Sequence, residues 1–273
     1  MKIITVESLI KLINLHGFDN FLKDLILCLK RDFSRWEKFS IIPRPGMYVP
    51  NGVMELMPIC DNKKYFTFKY VNLHPGNPKI GKQTVVATGQ LVDIDTGYPL
   101  MYSEMTILTA LRTAAMSALV ADLMARSNAR TLAMIGTGVQ SEFQAKAMQL
   151  VRNISEIRYF DIDPKAMVKF KNNMIDKNIK LTACKSAEET MFGADIITVC
   201  TARYGHFEVL KKDWVRSGVH INAIGGDSKG KTELESGILP MCKIVVEYFD
   251  QAKDEGEIQV FPDLPNGLLP LPH

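Results

Sequence analysis

The chain has no Cys-x-x-Cys pair, no His-Glu-x-x-His helix and no marked excess of charge. Its five cysteines (Cys28, Cys60, Cys184, Cys200 and Cys242) are scattered and odd in number. That pattern argues against a disulfide framework or a zinc site, and for reduced thiols in a cytoplasmic protein. The five histidines do not cluster, so no metal is expected. Lys plus Arg is 33 against 30 for Asp plus Glu, a net charge of +3 without a basic stripe or acidic tail. Nucleic acid is therefore not an expected partner. No apolar run reads as reaching the about 18 residues that would span a bilayer, so no membrane is expected. The N-terminus lacks the unbroken apolar stretch and cleavage site of a signal peptide. Asp95-Thr96-Gly97 spells an aspartic-protease tripeptide, but that chemistry needs two such carboxylates, and the tripeptide occurs once.

What the chain does have is 273 residues at 47% hydrophobic content, enough for a large core and, as a soft prior, two domains. Residues 6 to 39 carry apolar residues at helical spacing, with Gly17 as a break. Residues 41 to 52, rich in Pro and Gly, read as a loop. Strand-like runs follow at 53–58, 65–71 and 84–92, and a hairpin turn at Asp95-Thr96-Gly97 leads to a strand at 98–102. Ser103 reads as the N-cap of a long Ala-rich helix, 104 to about 126. This is a mostly antiparallel α+β unit. Beyond Asn128, strands at 131–135, 156–160, 181–184, 195–201, 219–224 and 244–246 alternate with helices at 139–151 and 164–174. Ser186 and Glu189 form a capping-box pattern. Alternation of this kind implies α/β architecture with a doubly wound parallel sheet of Rossmann type. The expected domains are 1–115 and 116–273.

Gly136-Thr137-Gly138-Val139-Gln140-Ser141 lies between a strand and a helix. Gly136 permits the tight turn, and Gly138 lets a pyrophosphate approach backbone N–H groups at the helix N-terminus. Ser141 replaces the third glycine with another small residue. The next strand ends in Asp161, whose carboxylate can accept from both ribose hydroxyls and repels a 2′-phosphate. NAD is thus the expected cofactor, in preference to NADP. No second feature points to a flavin.

Several stretches resemble one family over nearly the whole chain. They are Glu55-Leu56-Met57-Pro58, Phe68-Lys69-Tyr70-Val71-Asn72, Asp95-Thr96-Gly97-Tyr98-Pro99, Thr109 through Ala115 and Gln140 through Gln144. The most specific is Asn222-Ala223-Ile224-Gly225-Gly226-Asp227 through Gly230-Lys231-Thr232-Glu233-Leu234. Together they are similar to the ornithine cyclodeaminase and mu-crystallin family, on its bacterial ornithine cyclodeaminase branch. The resemblance implies that Arg44, Lys69 and Arg112 bind a substrate α-carboxylate, which suits cations that fix its orientation. Pattern alone leaves open a solvated loop charge at Arg44 and a surface strand face at Lys69. Arg112, inside an apolar helix, needs a partner and reads better as a ligand residue. Glu55 is implied near the catalytic water or substrate amine, with the alternative that it pairs one of these cations. Asp227 is implied as the acid–base residue that holds the substrate amine. Without the other motifs it would read as a turn-forming Asp after Gly-Gly. Arg112, Thr84, Val139, Gln140, Thr201, Ile224, Gly225, Gly226, Asp227 and Lys231 are implied cofactor contacts, Val139 and Ile224 through their backbones.

The activity so implied is an ammonia lyase converting L-ornithine to L-proline, with hydride taken from Cα and returned to the cyclic imine, so that NAD is recycled. A net oxidoreductase on the same scaffold (an amino-acid dehydrogenase or cyclic ketimine reductase) and a non-catalytic NAD-binding protein remain open. Lysine and ornithine differ by one methylene, which a pocket separates by only about 1–3 kcal/mol. A homodimer, paired through the N-terminal sheet, is implied as the assembly. Family members continue beyond Glu255-Gly256-Glu257-Ile258-Gln259 with a further strand and a returning helix. Here Pro262, Pro265, Pro270 and Pro272 exclude a helix and any central strand. The resemblance implies that this segment is missing and that the chain alone is poorly active.

Overall fold

The computed structural model describes residues 1–176, 178–261 and 268–270. The chain forms two compact units, one ending at Arg112 and the other starting at Thr113. The division falls inside the helix where the sequence placed the boundary, after Arg112 rather than after residue 115.

The first unit contains β1 (Lys2–Ile4), α1 (Val6–His16), α2 (Phe18–Phe33), β2 (Ser40–Ile41), β3 (Gly46–Val49), β4 (Gly52–Cys60), β5 (Tyr65–Leu73), β6 (Val85–Asp93) and β7 (Pro99–Glu104). Thr5 caps α1 by accepting from the Ser8 N–H, and Gly17 separates the two helices at φ 85°. That left-handed backbone suits glycine. One sheet takes the order β1-β7-β6-β5-β4-β2, with β3 also on β4. All its pairings are antiparallel except β1 on β7. Period-2 alternation puts Val53, Glu55, Val71, Ala87 and Gly89 on one face, and all five are buried. Asp95-Thr96-Gly97 is a hairpin turn, with Asp93 accepting from the Thr96 N–H and hydroxyl.

Four expectations need correction here. The 41–52 stretch is not wholly loop. Pro50 and Asn51 turn the chain, so β3 pairs Val49 with Gly52 and Gly46 with Glu55. Strand β1 was not foreseen. Ser103 does not cap the long helix α3 (Thr106–Met124). It lies in β7, and Glu104 caps instead, its carboxylate accepting from the Thr106 and Ile107 N–H groups. Finally, α3 is long and apolar enough to cross a membrane by length and composition. Arg112 interrupts it, and Leu111, Ala114, Ala115, Ala118, Leu119 and Ala121 are at most 1% exposed, so its apolar residues serve as core.

The second unit contains β8 (Thr131–Ile135), α4 (Ser141–Val151), β9 (Glu156–Phe160), α5 (Pro164–Asn173), β10 (Lys180–Ala183), α6 (Ala187–Met191), β11 (Ile196–Val199), β12 (His206–Leu210), β13 (His220–Ala223), β14 (Thr232–Leu234), β15 (Ile244–Val246), α7 (Phe249–Ala252) and β16 (Leu268–Pro270). Five strands form an all-parallel sheet in the order β10-β9-β8-β11-β13. Chain progression reverses at β8, whose neighbours are β9 and β11. The carboxyl ends of β8 and β11 therefore flank the crevice where doubly wound sheets take ligands. Strand β11 is buried throughout, as a parallel strand covered on both faces must be. Ser186 accepts from the Glu189 N–H at the start of α6, while the Glu189 carboxylate accepts from Lys185. Residues 244–246 do not join the main sheet as expected. Strand β15 pairs with β16, and β12 with β14, in separate parallel two-stranded ladders. Most of the proline-bearing tail, 262–267 and 271–273, lies outside the described residues.

Candidate active site

The first unit gathers the substrate-binding candidates on the buried face of its sheet. Glu55 on β4 is 7% exposed, and its Oε2 lies 3.3 Å from an Arg44 guanidinium nitrogen. The alternative reading of Glu55 as a partner for one of the cations thus describes one of its contacts. Lys69 on β5 stands opposite Met57, two residues along from Glu55 and on the same face. Its Nζ donates to Thr109 Oγ1 at 3.4 Å. Thr109 is one turn before Arg112 on α3, so the two share a helix face. Arg112 is half-buried, and among the described residues no carboxylate pairs with it. A desolvated guanidinium of this kind suits an incoming carboxylate. Thr84 lies just before β6, its carbonyl accepting from the His74 N–H.

In the second unit, Gly136 ends β8 at φ 92°. A Cβ there would meet the Cys200 carbonyl oxygen at 2.8 Å, so only glycine fits. A Cβ on Gly138 would meet nothing within 4 Å. Among the described residues, the N–H groups of Gly138, Val139 and Gln140 have no protein acceptor. Three free donors at a helix start, above an open glycine, fit a pyrophosphate. Val139 is 64% exposed at this mouth. Ser141 is fully buried, and its hydroxyl donates to the Gly138 carbonyl at 2.8 Å.

Asp161, at the end of β9, is already engaged. Its Oδ2 accepts from the Thr137 N–H at 2.6 Å and hydroxyl at 3.1 Å, and Oδ1 accepts from the Asp163 N–H at 2.9 Å. These bonds fix the carboxylate beside the glycine turn, with a lone pair left on Oδ1.

The Ile224–Lys231 segment follows β13. Ile224 donates to Val199, extending the ladder, and Asp227 N–H donates to the Gly225 carbonyl at 2.9 Å in a tight turn. The Asp227 side chain is 44% exposed, while Lys231 is 3% exposed and donates to Asp227 Oδ1 at 2.9 Å. Lys231 thus holds Asp227 by Oδ1, and among the described residues Oδ2 is left open to another donor. Thr201, after β11, donates through both its N–H and its hydroxyl to Glu233 Oε1. The resemblance made the two glycines cofactor contacts. In the fold, buried carboxylates press on them. A Cβ on Gly225 would lie 1.8 Å from Glu233 Oε2, and one on Gly226 would lie 2.9 Å from Glu257 Oε1. The Glu257 carboxylate accepts from the Glu233 and Leu234 N–H groups. Burial pushes the Glu233 carboxyl up to about 7, against the lowering effect of its Thr201 bonds and Lys231. Burial likewise raises Glu257. Neither glutamate was assigned a role from the sequence. For Glu233 the available signal was its place within the Asn222–Leu234 stretch, the most family-specific one.

Cofactor discrimination is open to direct test. Replacing Asp161 by alanine is expected to weaken NAD binding about ten- to a hundredfold, the scale of lost bonds to a charged acceptor. NADP should lose less, since a repelling charge goes too. Calorimetric titration of both dinucleotides measures the gap, and equal affinities in the unmutated chain would remove Asp161 as the discriminator.

Residues 6–269 match the model of the ornithine cyclodeaminase/mu-crystallin family. The ornithine cyclodeaminase of Agrobacterium fabrum is 48% identical over 263 residues, covering 96% of this chain and 74% of the relative. Among solved structures, a lysine cyclodeaminase studied for recognition of L-lysine, L-ornithine and L-2,4-diaminobutyric acid superposes with a TM-score of 0.92 at 29% identity, covering 99% of this chain and 80% of that one. An archaeal alanine dehydrogenase dimer with bound NAD gives 0.84 at 35% identity, covering 95% and 78%. With this fold, an open glycine turn and a near full-length match, the chain belongs to the ornithine cyclodeaminase/mu-crystallin family.

Proposed function

We propose that this protein is an NAD-dependent ammonia lyase that converts L-ornithine to L-proline and ammonia. The observation that carries this is the 48% identity to an ornithine cyclodeaminase over 96% of the chain. The free donors above Gly138 support NAD as the cofactor. When bound, NAD⁺ supplies an oxidation at the substrate Cα and its reversal, so no net reduction accumulates.

The residues divide the remaining tasks. Arg44, Lys69 and Arg112 hold the α-carboxylate and fix the face that Cα presents. Glu55, already paired with Arg44, takes the α-amino end and assists departure of ammonia. Asp227 holds the δ-ammonium on Oδ2 and takes its proton, which frees the amine to attack the oxidised Cα and close the ring. Lys231, fixed on Oδ1, keeps Asp227 turned for that exchange. Gly136, Gly138, Val139 and Gln140 cradle the pyrophosphate, and Asp161 takes the adenosine ribose. Thr84, Arg112, Thr201, Ile224, Gly225 and Gly226 border the rest of the dinucleotide. The working unit is a cytoplasmic homodimer, with neither nucleic acid nor membrane as partner. Light scattering at micromolar concentration should return twice the 30.6 kDa chain mass, and a monomer would remove the dimer from this proposal.

The decisive assay incubates the chain with ornithine, lysine and alanine in turn, each with NAD⁺, and identifies products by mass. Proline and ammonia from ornithine, with no lasting absorbance change at the nicotinamide band, is the expected result. Stoichiometric NADH from alanine would instead make it a dehydrogenase.

A further inference from the structure

Two buried charges, Lys231 just before β14 and Glu233 within it, are separated by Thr232, which faces His206. Lys231 grips Asp227 at one end of the turn. Glu233 packs against the other. Its Oε1 accepts from the Thr201 N–H at 2.9 Å and from the Thr201 hydroxyl, while Oε2 lies against Gly225. The residue is 1% exposed, and among the described residues Oε2 has no hydrogen-bond partner. Glu257 fixes the strand from behind through the Glu233 and Leu234 N–H groups. With Oε1 bonded to Thr201 and Oε2 packed against Gly225, this carboxyl holds the residue that follows β11 beside the start of the Asp227 turn.

We propose that Glu233 is a positioning residue: its buried carboxyl group ties Thr201 to the Gly225-Gly226-Asp227 turn and so sets where Asp227 stands. This rests on the reading of Asp227 as the acid–base residue. Protonation state matters to such a tie. The groups around Glu233 are Lys231 just before its strand, Asp227 across Lys231, Glu257 behind it, and Cys200 just after β11. Lys231 is the sole cation among them and is already committed to Asp227. With the carboxyl raised to about 7 by burial, Glu233 is neutral below that pH and charged beside Glu257 above it. The raised value means that its contribution to folding is full below about pH 4.5 and is lost as pH rises through about 7.

The test compares the unmutated chain with Glu233→Gln and Glu233→Ala. Glutamine mimics the neutral acid, whereas alanine removes the tie. Alanine should lower kcat for ornithine about 10²-fold with KM within about threefold, the signature of misplacement rather than lost substrate binding. The unmutated chain should lose activity above pH 7, and glutamine should keep kcat within about threefold at pH 6 and abolish that fall. A merely structural glutamate would not give that change of pH profile. NAD affinity, measured by calorimetry, needs no turnover. It should drop about tenfold in the alanine variant and stay within about twofold in the glutamine variant. Unchanged kcat and NAD affinity in the alanine variant would overturn the inference, as would a glutamine variant with the unmutated pH profile. If the unmutated chain makes no proline, the assigned activity fails, and the NAD affinities alone then decide for or against the tie.

Discussion

Asp227→Asn is expected to leave NAD binding within about threefold of the unmutated chain while turnover of ornithine falls about 10²–10⁴-fold, the usual worth of a positioned acid–base group. The substitution keeps size and shape. Lys231 Nζ can still donate to an amide oxygen at the position of Oδ1, 2.9 Å away. The turn itself depends on the Asp227 backbone N–H, which bonds to the Gly225 carbonyl, and not on the carboxylate. What disappears is the capacity to take a proton from the substrate ammonium. The side chain is 44% exposed, so the amide is not left unsatisfied and the fold should hold. Product analysis for proline and calorimetric titration with NAD separate the two properties. Near-normal turnover would remove Asp227 from the chemistry. Joint loss of turnover and NAD affinity would make it a structural residue of the loop.

How much of this could be read in the sequence depended on how local each cause is. The glycine turn was legible because strand, turn and helix are adjacent in the chain, and Gly136 and Gly138 play different parts within four residues. The strands of the first sheet were legible from their alternation. Strand β1 was not, because three residues gain strand character only by pairing with Met101, Tyr102 and Ser103, far along the chain. Strand β3 was hidden by its flanking prolines, which mark turns but do not forbid a short edge strand between them. The cap of α3 was missed for a chemical reason: Ser103 and Glu104 can both accept from a helix N-terminus, and strand register gave the task to Glu104. Glu233 and Glu257 were the largest gap. A glutamate reads as a solvated charge unless something shows that it is buried, and here that information lies in two glycines whose missing side chains make the room. The pairing of Arg44 with Glu55 was foreseen only as an alternative, since residues in a loop and a strand carry no mutual spacing rule.

The two glycines of the dinucleotide turn should respond in opposite ways to the same added methyl group. At Gly136, alanine meets two obstacles. The backbone sits at φ 92°, where a side chain costs about 1–2 kcal/mol. The new Cβ would also lie 2.8 Å from the Cys200 carbonyl oxygen and 3.1 Å from the Thr201 nitrogen, both backbone atoms of the neighbouring strand end. Those atoms cannot swing aside, so the ends of β8 and β11 must part, at about 1–3 kcal/mol for overpacking. Together these predict a thermal midpoint lower by roughly 5–15 °C, on the scaling for chains of this size. NAD affinity should fall too, because Thr201 and the Gly138 donors shift with the turn. At Gly138 the same methyl group finds no atom within 4 Å and an unstrained backbone, so the midpoint should stay within about 2 °C. That open space is where a pyrophosphate would reach the N–H groups of Gly138, Val139 and Gln140, and filling it should weaken NAD about five- to a hundredfold through the cost of overpacking at the phosphate. Scanning calorimetry and NAD titration of the two variants side by side give the answer. Full NAD affinity in Gly138→Ala would take the turn out of the cofactor site. An unshifted midpoint in Gly136→Ala would mean that the Cys200 carbonyl does not crowd Gly136 in solution as closely as it does here.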